Sequence, residues 1–404
     1  MDRMDLSRRQ FLGATAAVGG LWLAGAGDQN LLVAAEAPLL KGKGALTVLS
    51  KVPLILETPL EKLAAERITS KEWLFVRNNQ DRMESASMEP VSPAGWKIEL
   101  SGLIDRPAVL DAARLAEWPQ VEHELVLQCS GNSRALYSKF SPTEGTQWGR
   151  GGFGNVKFRG VPLSTVLDKL EVKINPEATF LTADGRDLPP AGKQDFEHSL
   201  RISDALENSF LALEMNGEPI PAIHGGPVRL ITPGFFATMN IKWLASLRFE
   251  AKETTVNHQM PRYRMPLHPI APGEKYEFTF ENSRPNYAMN VKSITLLPAP
   301  EAKVHAGLVK VQGVAFNDGA AKIDSVLVSL DGGQTWRPAM LEPGQGTYAW
   351  TRWSVSAMLP AGRHEILARA SDALGRTQPL DGATFWNPHG YEWNAVERIA
   401  IECV

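Results

Sequence analysis

Hydrophobic patterning in the first two thirds of the chain predicts short strands separated by turns and a few brief helices. Apolar or alternating runs bounded by turn residues predict strands at 73–78, 96–100, 125–127 and 228–231. Helical patterns occur at 110–117 and 163–170, and a polar, helix-favouring stretch covers 57–69. No glycine-rich nucleotide loop opens a helix. This irregular mixture predicts an α+β domain and argues against a regular βαβ fold.

The pattern changes beyond about residue 290. Residues 250–285 are rich in proline, charge and aromatic side chains and are interpreted as a long connection. After it, regular short strands are predicted at 308–315, 325–330, 347–350 and 364–370. Short strands at such spacing, with Asp-Gly turns between them, are typical of a β-sandwich. We therefore predict two folded domains, at 38–285 and 286–404.

Composition narrows the class of protein. The chain has 404 residues, of which 44% are hydrophobic and 22% charged, as expected of a globular protein with a sizeable core. A net charge of −3 and the lack of basic runs argue against binding to nucleic acid. Cys129 and Cys403 are the only cysteines, so a disulfide framework is excluded and one bridge between them is the only pairing the sequence allows.

The N-terminus contains a predicted export signal. Ser7-Arg8-Arg9-Gln10-Phe11-Leu12-Gly13 closely matches a twin-arginine signal, and Ala35-Glu36-Ala37 is a plausible cleavage site. The apolar stretch at 14–26 is too short and glycine-rich for a membrane span. We therefore expect a signal peptide at 1–37 and a periplasmic mature protein without a membrane span, the alternative being an uncleaved N-terminus.

Cys129 is the most informative single residue. It ends an apolar run, and Arg134 follows five residues later, after a Gly-Asn turn. A thiol at a strand end beside an arginine favours the thiolate, which ligates metals and attacks electrophiles. The alternative is a buried structural cysteine, since free cysteine is among the most buried residue types.

The stretch Gln128-Cys129-Ser130-Gly131-Asn132-Ser133-Arg134 resembles the Gln-Cys-Ala-Gly-Asn-x-Arg signature of the sulfite oxidase family, with serine in place of alanine. The resemblance implies that the Cys129 thiolate binds molybdenum, which makes a Cys129–Cys403 bridge improbable on chemical grounds. It also implies that Arg134 lines a pocket for an oxyanion, which suits the planar guanidinium.

Other segments resemble the same family in order along the chain. Phe75-Val76-Arg77-Asn78-Asn79 is similar to the family's Phe-Val-Arg-Asn-His, with asparagine replacing histidine at position 79. The block from Glu214 to Leu230, with His224 and Arg229, and the later Asn240-Ile241-Lys242-Trp243 are similar to family blocks. Basic side chains of this kind suit the terminal phosphate of a pterin cofactor.

Two sets of site residues follow from the resemblance. It implies a catalytic site made by Cys129, Arg77, Arg134, Tyr263 and Trp148. It implies cofactor contacts by Phe75, Val76, Arg77, Asn78, Asn79, Cys129, Asp184, His224, Arg229, Asn240, Ile241 and Lys242. Asp184 has the simplest alternative explanation, since an Asp-Gly pair is usually a turn. His258 and His268 are expected to be surface or loop residues.

The resemblance implies an α+β, sulfite-oxidase-like molybdopterin domain followed by an immunoglobulin-like β-sandwich dimerisation domain. The segments that resemble the second domain are Ser329 to Trp336 and Trp386 to Asn394. The implied cofactor is molybdenum-molybdopterin (Mo-MPT), and the implied assembly is a homodimer. The second domain is expected to contribute no cofactor residue.

The implied reaction is oxidation of sulfite to sulfate by oxygen-atom transfer. No Cys-x-x-Cys-His haem-attachment motif is present, so we expect no haem in this chain and a separate electron acceptor such as cytochrome c. Two alternatives stay open. One is another molybdopterin enzyme, such as a sulfane dehydrogenase or a reductase of sulfoxides or oxyanions. The other is a non-catalytic periplasmic binding protein.

Overall fold

The computed structural model of the protein describes residues 39–79, 87–189 and 191–404. The predicted signal peptide at 1–37 lies outside the described residues. Within them, no helix is both long and apolar enough to cross a membrane.

The N-terminal part is built from short strands. In chain order they are β1 (Thr47–Lys51), β2 (Leu54–Glu57), β3 (Val76–Arg77), β4 (Lys97–Gly102), β5 (Ala108–Asp111), β6 (Val121–Gln128), β7 (Phe153–Pro162), β8 (Phe180–Gly185), β9 (Glu197–Arg201), β10 (Phe210–Met215), β11 (Glu218–Pro219), β12 (Arg229–Ile231), β13 (Leu244–Glu250), β14 (Arg264–Pro266) and β15 (Ser283–Pro285). The α-helices are α1 (Leu60–Ala65), α2 (Arg134–Tyr137), α3 (Leu163–Leu170) and α4 (Ile202–Asn208). Single 3-10 turns span Ala112–Glu117, Ala222–His224 and Ala237–Met239.

These strands form several small sheets. One has the order β11-β10-β7-β6, with β12 also pairing β10, and another has the order β5-β4-β13-β8-β9. In the second, β4 and β13 run parallel and the other neighbours antiparallel. Strands β1-β2-β3 and β14-β15 make two further sheets. This mixed arrangement confirms the predicted α+β fold.

The helix predictions are confirmed to different degrees. Helix α3 has the predicted bounds, because Leu163, Val166 and Leu167 repeat at helical spacing and are buried. The predicted helix at 110–117 is a 3-10 turn that begins only at Ala112, since β5 extends to Asp111 and pairs with β4. At 57–69 only α1 is helical; its N-cap is Pro59, and β2 extends through Glu57.

The C-terminal part is a β-sandwich, as predicted. Its strands are β16 (Lys292–Leu297), β17 (Lys303–Val304), β18 (Gly307–Phe316), β19 (Ile323–Ser329), β20 (Arg337–Pro338), β21 (Met340–Glu342), β22 (Thr351–Leu359), β23 (Gly362–Asp372) and β24 (Arg398–Cys403). One sheet has the order β16-β18-β22-β21, and the other has the order β17-β24-β23-β19-β20. Their facing side chains form one apolar core around Val311, Val328 and Ile366.

The strand predicted at 347–350 is wrong. This segment is a turn, in which Tyr348 forms an isolated bridge with Leu125 of β6, and strand β22 begins at Thr351. A contact with a distant strand overrides the local preference of its aromatic residues for a strand.

A shared core joins the two parts. Val126 and Phe153 from the N-terminal sheet pack with Ile294, Val314 and other side chains of the sandwich. All described residues belong to one compact unit. The sandwich is therefore packed directly against the strand that precedes Cys129.

Buried charges reinforce this junction. Glu397 accepts a hydrogen bond from Ser133 Oγ at 3.4 Å and pairs with Arg150 at 3.1 Å, and both charged side chains are almost wholly buried. Lys292 Nζ lies 3.0 Å from Ser133 Oγ. Burial lowers the pKa of Lys292 to about 8, while the charge of Glu397 opposes this shift. Glu397 thus compensates two buried cations at the loop that follows Cys129.

We expect Glu397→Ala to lower the free energy of unfolding by about 3–5 kcal/mol, because it leaves Arg150 and Lys292 as buried charges without a partner. The matched control is Glu365→Ala, which removes an ion pair with Arg398. In this pair the side chain of Glu365 is 39% exposed and that of Arg398 is 55% exposed. That change should cost less than about 1 kcal/mol. Denaturant unfolding of both variants is the measurement, and equal losses would contradict the assignment.

Candidate active site

Cys129 follows β6, whose last five residues are buried. Its backbone N–H donates to the Gly152 carbonyl at 2.9 Å, and Gly152 N–H donates to Asn132 Oδ1 at 2.9 Å. The turn after Cys129 ends at Ser133, whose φ of 72° allows α2 to start with Arg134. Both cysteines are free thiols, in agreement with the expectation that Cys129 and Cys403 do not pair.

Two cavities meet at Cys129. The first cavity is lined by residues from seven segments, and among them are Phe75, Ser130, Asp187, His224, Arg229, Thr238, Asn240, Ile241 and Lys242. The second cavity is lined by, among others, Arg134, Trp148, His258, Arg262 and Tyr391. Arg77, Asn79, Cys129 and Tyr263 line both. The thiol is therefore accessible from two chemically different sides.

The first cavity ends in a cluster of basic groups. Arg229 donates to the carbonyl of His224 at 3.0 Å, and Lys242 Nζ donates to Asn78 Oδ1 at 2.7 Å and to the Ile223 carbonyl at 2.8 Å. Behind them, buried Lys43 lies 2.8 Å from His224 Nε2. Within the described residues, none of these four forms an ion pair with a carboxylate.

Burial and mutual repulsion destabilise the protonated forms of this cluster. Burial lowers the pKa of Lys43, of His224 and of Lys242 well below the usual values, and it lowers the pKa of Arg229 to about 9. Neighbouring cations add to the shifts of His224 and Lys242, whereas Asp187 partly opposes that of Lys242. A bound polyanion would supply the missing negative charge.

Strand β3 orients the residues at 75–79. Phe75 and Arg77 line the first cavity, whereas Val76 between them points the other way and packs with Leu56 and Ile223. Alternation along the strand thus removes the Val76 side chain from the predicted cofactor contacts. The Arg77 guanidinium is hydrogen-bonded to the Asn78 carbonyl and to Asn79 Oδ1.

The second cavity is an arginine-rich space beside the thiol. Arg134 is buried, and its guanidinium donates at 2.8 Å to the carbonyls of His389 and Thr146. Trp148 is fully buried and meets Phe75 edge-to-face at 5.9 Å. The Glu57 carboxylate orders the following loop by accepting bonds from the N–H groups of Gly149 and Gly151.

Tyr263 adopts a left-handed backbone conformation, with φ of 53°, and donates from its hydroxyl to Asn79 Oδ1 at 3.2 Å. Its ring stacks on Tyr391 at 4.9 Å, and Tyr391 in turn lies 5.0 Å from the Arg134 guanidinium carbon. The structure thus brings together all five predicted catalytic residues around the junction of the two cavities.

The C-terminal segment, from which no cofactor residue is expected, reaches the wall of the second cavity. Tyr391 lines the second cavity, and Glu392 N–H donates to the Ser130 carbonyl at 3.0 Å. Gly390 has φ of +60°, and a Cβ there would lie 2.5 Å from Arg134 Cγ. Close packing against the cysteine loop requires this glycine.

Asp184 is not among the residues that line either cavity, and its predicted cofactor contact stays a prediction. It lies on β8, where burial and the neighbouring acids Asp195, Glu197 and Asp187 raise its pKa to about 7. The acid that lines the first cavity is Asp187, three residues later.

Several other site residues were not predicted from the sequence. They include Lys43 behind the basic cluster, Ser130 and Thr238 in the first cavity, and His258, Arg262 and Tyr391 in the second. His258 had been interpreted as a surface or loop residue. The sequence could have indicated three of them, because Ser130 lies in the cysteine motif, Arg262 is next to Tyr263, and Tyr391 lies in the segment from Trp386 to Asn394.

The residues present fit a molybdopterin cofactor. The basic cluster matches its phosphate, and the thiol matches its metal. Within the described residues, no group of three His, Cys, Asp or Glu side chains is placed to hold a metal ion. Ser130 Oγ and Trp148 Nε1 are buried beside Cys129 without a hydrogen-bond partner among described atoms.

Comparison with protein families agrees with this geometry. The model of the oxidoreductase molybdopterin binding domain matches residues 85–258. The model of the Mo-co oxidoreductase dimerisation domain matches residues 283–404. The first range contains Cys129 and the basic residues at 224–242, and the second contains the sandwich and Tyr391.

Curated relatives cover most of the chain. It is 30% identical over 359 residues to sulfite oxidase of Gallus gallus, covering 85% of this chain and 75% of that protein. It is 28% identical to mitochondrial sulfite oxidase of Mus musculus, covering 89% of this chain and 66% of that protein. It is 30% identical to nitrate reductase [NAD(P)H] of Hordeum vulgare, covering 87% of this chain and 41% of that protein. The chain thus spans just under two thirds of the mouse relative.

A solved structure shows the same fold. The sulfane dehydrogenase SoxCD from Paracoccus pantotrophus superposes with a TM-score of 0.72 at 24% identity, covering 86% of this chain and 84% of that chain. The matched domains and the curated relatives confirm the resemblance seen in the cysteine motif. The chain belongs to the sulfite oxidase family of molybdopterin-dependent oxidoreductases.

Proposed function

We propose that this protein oxidises sulfite to sulfate with a molybdenum-molybdopterin cofactor. The observation that carries the proposal is the position of Cys129, at the junction of a cavity that ends in buried cations and a cavity rich in arginine. The first suits the phosphate of the pterin and the second suits a sulfur oxyanion. Sulfite oxidases among the relatives support this substrate class.

The basic cluster would hold the cofactor. His224, Arg229 and Lys242 surround the end of the first cavity, where a phosphate would relieve their mutual repulsion. Cys129 Sγ would be the protein ligand to molybdenum. When bound, this group supplies oxygen-atom transfer and stores two electrons.

The second cavity would bind and orient the substrate. Arg77 and Arg134 provide fixed positive charge for a sulfur oxyanion and cannot lose it near neutral pH. The Tyr263 hydroxyl, now bonded to Asn79, can turn its donor towards a substrate oxygen. Trp148 and Tyr391 are buried aromatic walls that restrict water beside the thiol.

The electrons would leave to a separate one-electron carrier such as a cytochrome c, with no haem held by this chain. The lack of a Cys-x-x-Cys-His motif in the sequence supports this part of the proposal. We also propose export by the twin-arginine route to the periplasm, which is supported by the Ser7-to-Gly13 motif.

We further propose that the protein assembles as a homodimer, with one molybdenum site in each subunit. The support is the match of residues 283–404 to a dimerisation domain and the prevalence of two-fold symmetry among assemblies. Light scattering at micromolar concentration should give twice the subunit mass, and a persistent monomer would contradict the proposal.

Cys129→Ser should retain pterin, which the basic cluster binds, but lose sulfite-dependent reduction of ferricyanide, because a hydroxyl is a poor substitute for a soft thiolate ligand. Cys403→Ser is the matched control, since that thiol lies in the sandwich core and should leave activity nearly unchanged. Pterin fluorescence, molybdenum content and turnover are measured on each preparation. Near-native turnover of Cys129→Ser would refute the ligand assignment.

Replacing Arg77 or Arg134 with glutamine should weaken sulfite binding by about 1–3 kcal/mol, the value of one charge-assisted contact. Arg134→Gln also loses bonds to two carbonyls, so its unfolding is measured alongside its KM. Arg363→Gln, which removes an exposed pair with Glu301 on the sandwich, is the control. Unchanged KM in both cavity variants would mean that the oxyanion binds elsewhere.

A further inference from the structure

The segment between β13 and β14 brings a histidine into the second cavity. His258 lines this cavity together with Arg77, Asn79 and Cys129. Its ring packs against Phe196 at 4.9 Å and lies 6.4 Å from the ring of Tyr263. The imidazole is therefore held by an aromatic contact, although it follows an irregular turn.

One hydrogen bond determines which ring nitrogen is available. His258 Nδ1 lies 3.1 Å from the Asp195 carbonyl oxygen, which can only accept. The hydrogen of the neutral ring is thus on Nδ1, and Nε2 retains its lone pair. Within the described residues Nε2 makes no hydrogen bond, and His258 is only partly buried.

The other polar groups around this cavity are poorly suited to accept a proton. Arg77, Arg134 and Arg262 carry guanidinium groups, which are hydrogen-bond donors without an acceptor atom. Asn79 carries an amide, which does not titrate. Tyr391 is a phenol whose pKa is raised by burial and by Tyr263. Cys129 is the proposed metal ligand and Tyr263 is a phenol, so His258 is the described lining side chain that offers a nitrogen lone pair to a proton.

Oxidation of sulfite releases protons that must leave this space. Sulfite and water give sulfate, two protons and two electrons: one sulfur–oxygen bond forms, and both O–H bonds of one water break. The electrons pass to a one-electron acceptor, which is ferricyanide in the assay. We propose that His258 accepts one of these protons at Nε2 and passes it to solvent, an inference that rests on the function proposed above.

The charges that face His258 set the expected pH dependence. Burial lowers its pKa below the ordinary histidine value, and Arg77 and Arg262 lower it further, while the bond to Asp195 and the Asp195 charge oppose the shift. His198 and Tyr263 are the other titratable groups packed near it. His258 is therefore neutral at neutral pH, and acidification through its pKa should abolish proton acceptance and lower kcat/KM.

The first test compares pH profiles of kcat/KM for sulfite in the holoenzyme, His258→Gln and His268→Gln. In His258→Gln, kcat/KM for sulfite should fall about 100-fold at neutral pH, as expected for loss of a general base. The decrease of kcat/KM at acidic pH that comes from protonation of His258 should also be absent from its profile. Sulfite's own titration remains in every profile. His268 is exposed and lines neither cavity, so its replacement should change kcat/KM less than about twofold.

The second test does not depend on turnover. NMR of protein with ¹³C-labelled histidine follows each ring through a pH titration, with His258→Gln assigning the His258 signal. Saturating sulfate should raise the pKa of His258, because a dianion beside Nε2 stabilises the imidazolium. The His268 signal, from a ring in neither cavity, is the internal control.

The outcomes separate the two proposals. A holoenzyme that fails to oxidise sulfite overturns the proposed function. Turnover with an unchanged pH profile in His258→Gln, or sulfate inhibition without a shift in the His258 pKa, overturns the role of His258 and leaves the function standing. Absence of that decrease at acidic pH in His258→Gln, together with the sulfate-dependent shift, supports both.

Discussion

The rest of the site depends on the hydrogen bonds that fix the loop after Cys129. Strand β6 and Gly152 fix the cysteine backbone from one side. From the other side, the C-terminal segment binds the Ser130 carbonyl through Glu392 and the Arg134 guanidinium through the His389 carbonyl. These bonds come from two distant parts of the chain, so the orientation of the thiol depends on how those parts pack together. A sandwich matched to a dimerisation domain is therefore also a structural support of the active site.

A second feature of the structure is a group of basic side chains that are buried, where the protonated forms are destabilised. The described residues put His224, Arg229, Lys242 and Lys43 in close contact without an ion-paired carboxylate, and burial lowers the pKa of each. By contrast, Glu397 and Glu392 compensate the cations that hold the fold together. The protein thus neutralises structural cations internally and leaves the charges of its binding cavity to the ligand.

Much of the fold was predictable because it rests on local periodicity. Helix α3 has its predicted bounds, and strands β18 and β23 include the predicted runs with one or two further residues at each end. Predictions failed where a distant contact outweighed the local pattern. The segment at 347–350 bridges β6, and the chain at Leu110 joins a sheet before its 3-10 turn starts. Asp184 lies outside the described walls of both cavities, and a single residue in a common dipeptide says little about which way its side chain points.

By itself, the sequence determined the family, the cysteine loop and the basic block, because each is a contiguous motif whose residue types specify its chemistry. Only the tertiary structure decided that Cys129 separates two cavities, that Val76 points away from both, and that His258 and Tyr391 border the second. Tyr391 and Arg134 are more than 250 positions apart, yet their side chains touch. Such long-range contacts depend on how the sandwich packs against the N-terminal sheets. The local order of apolar and polar residues does not encode that packing.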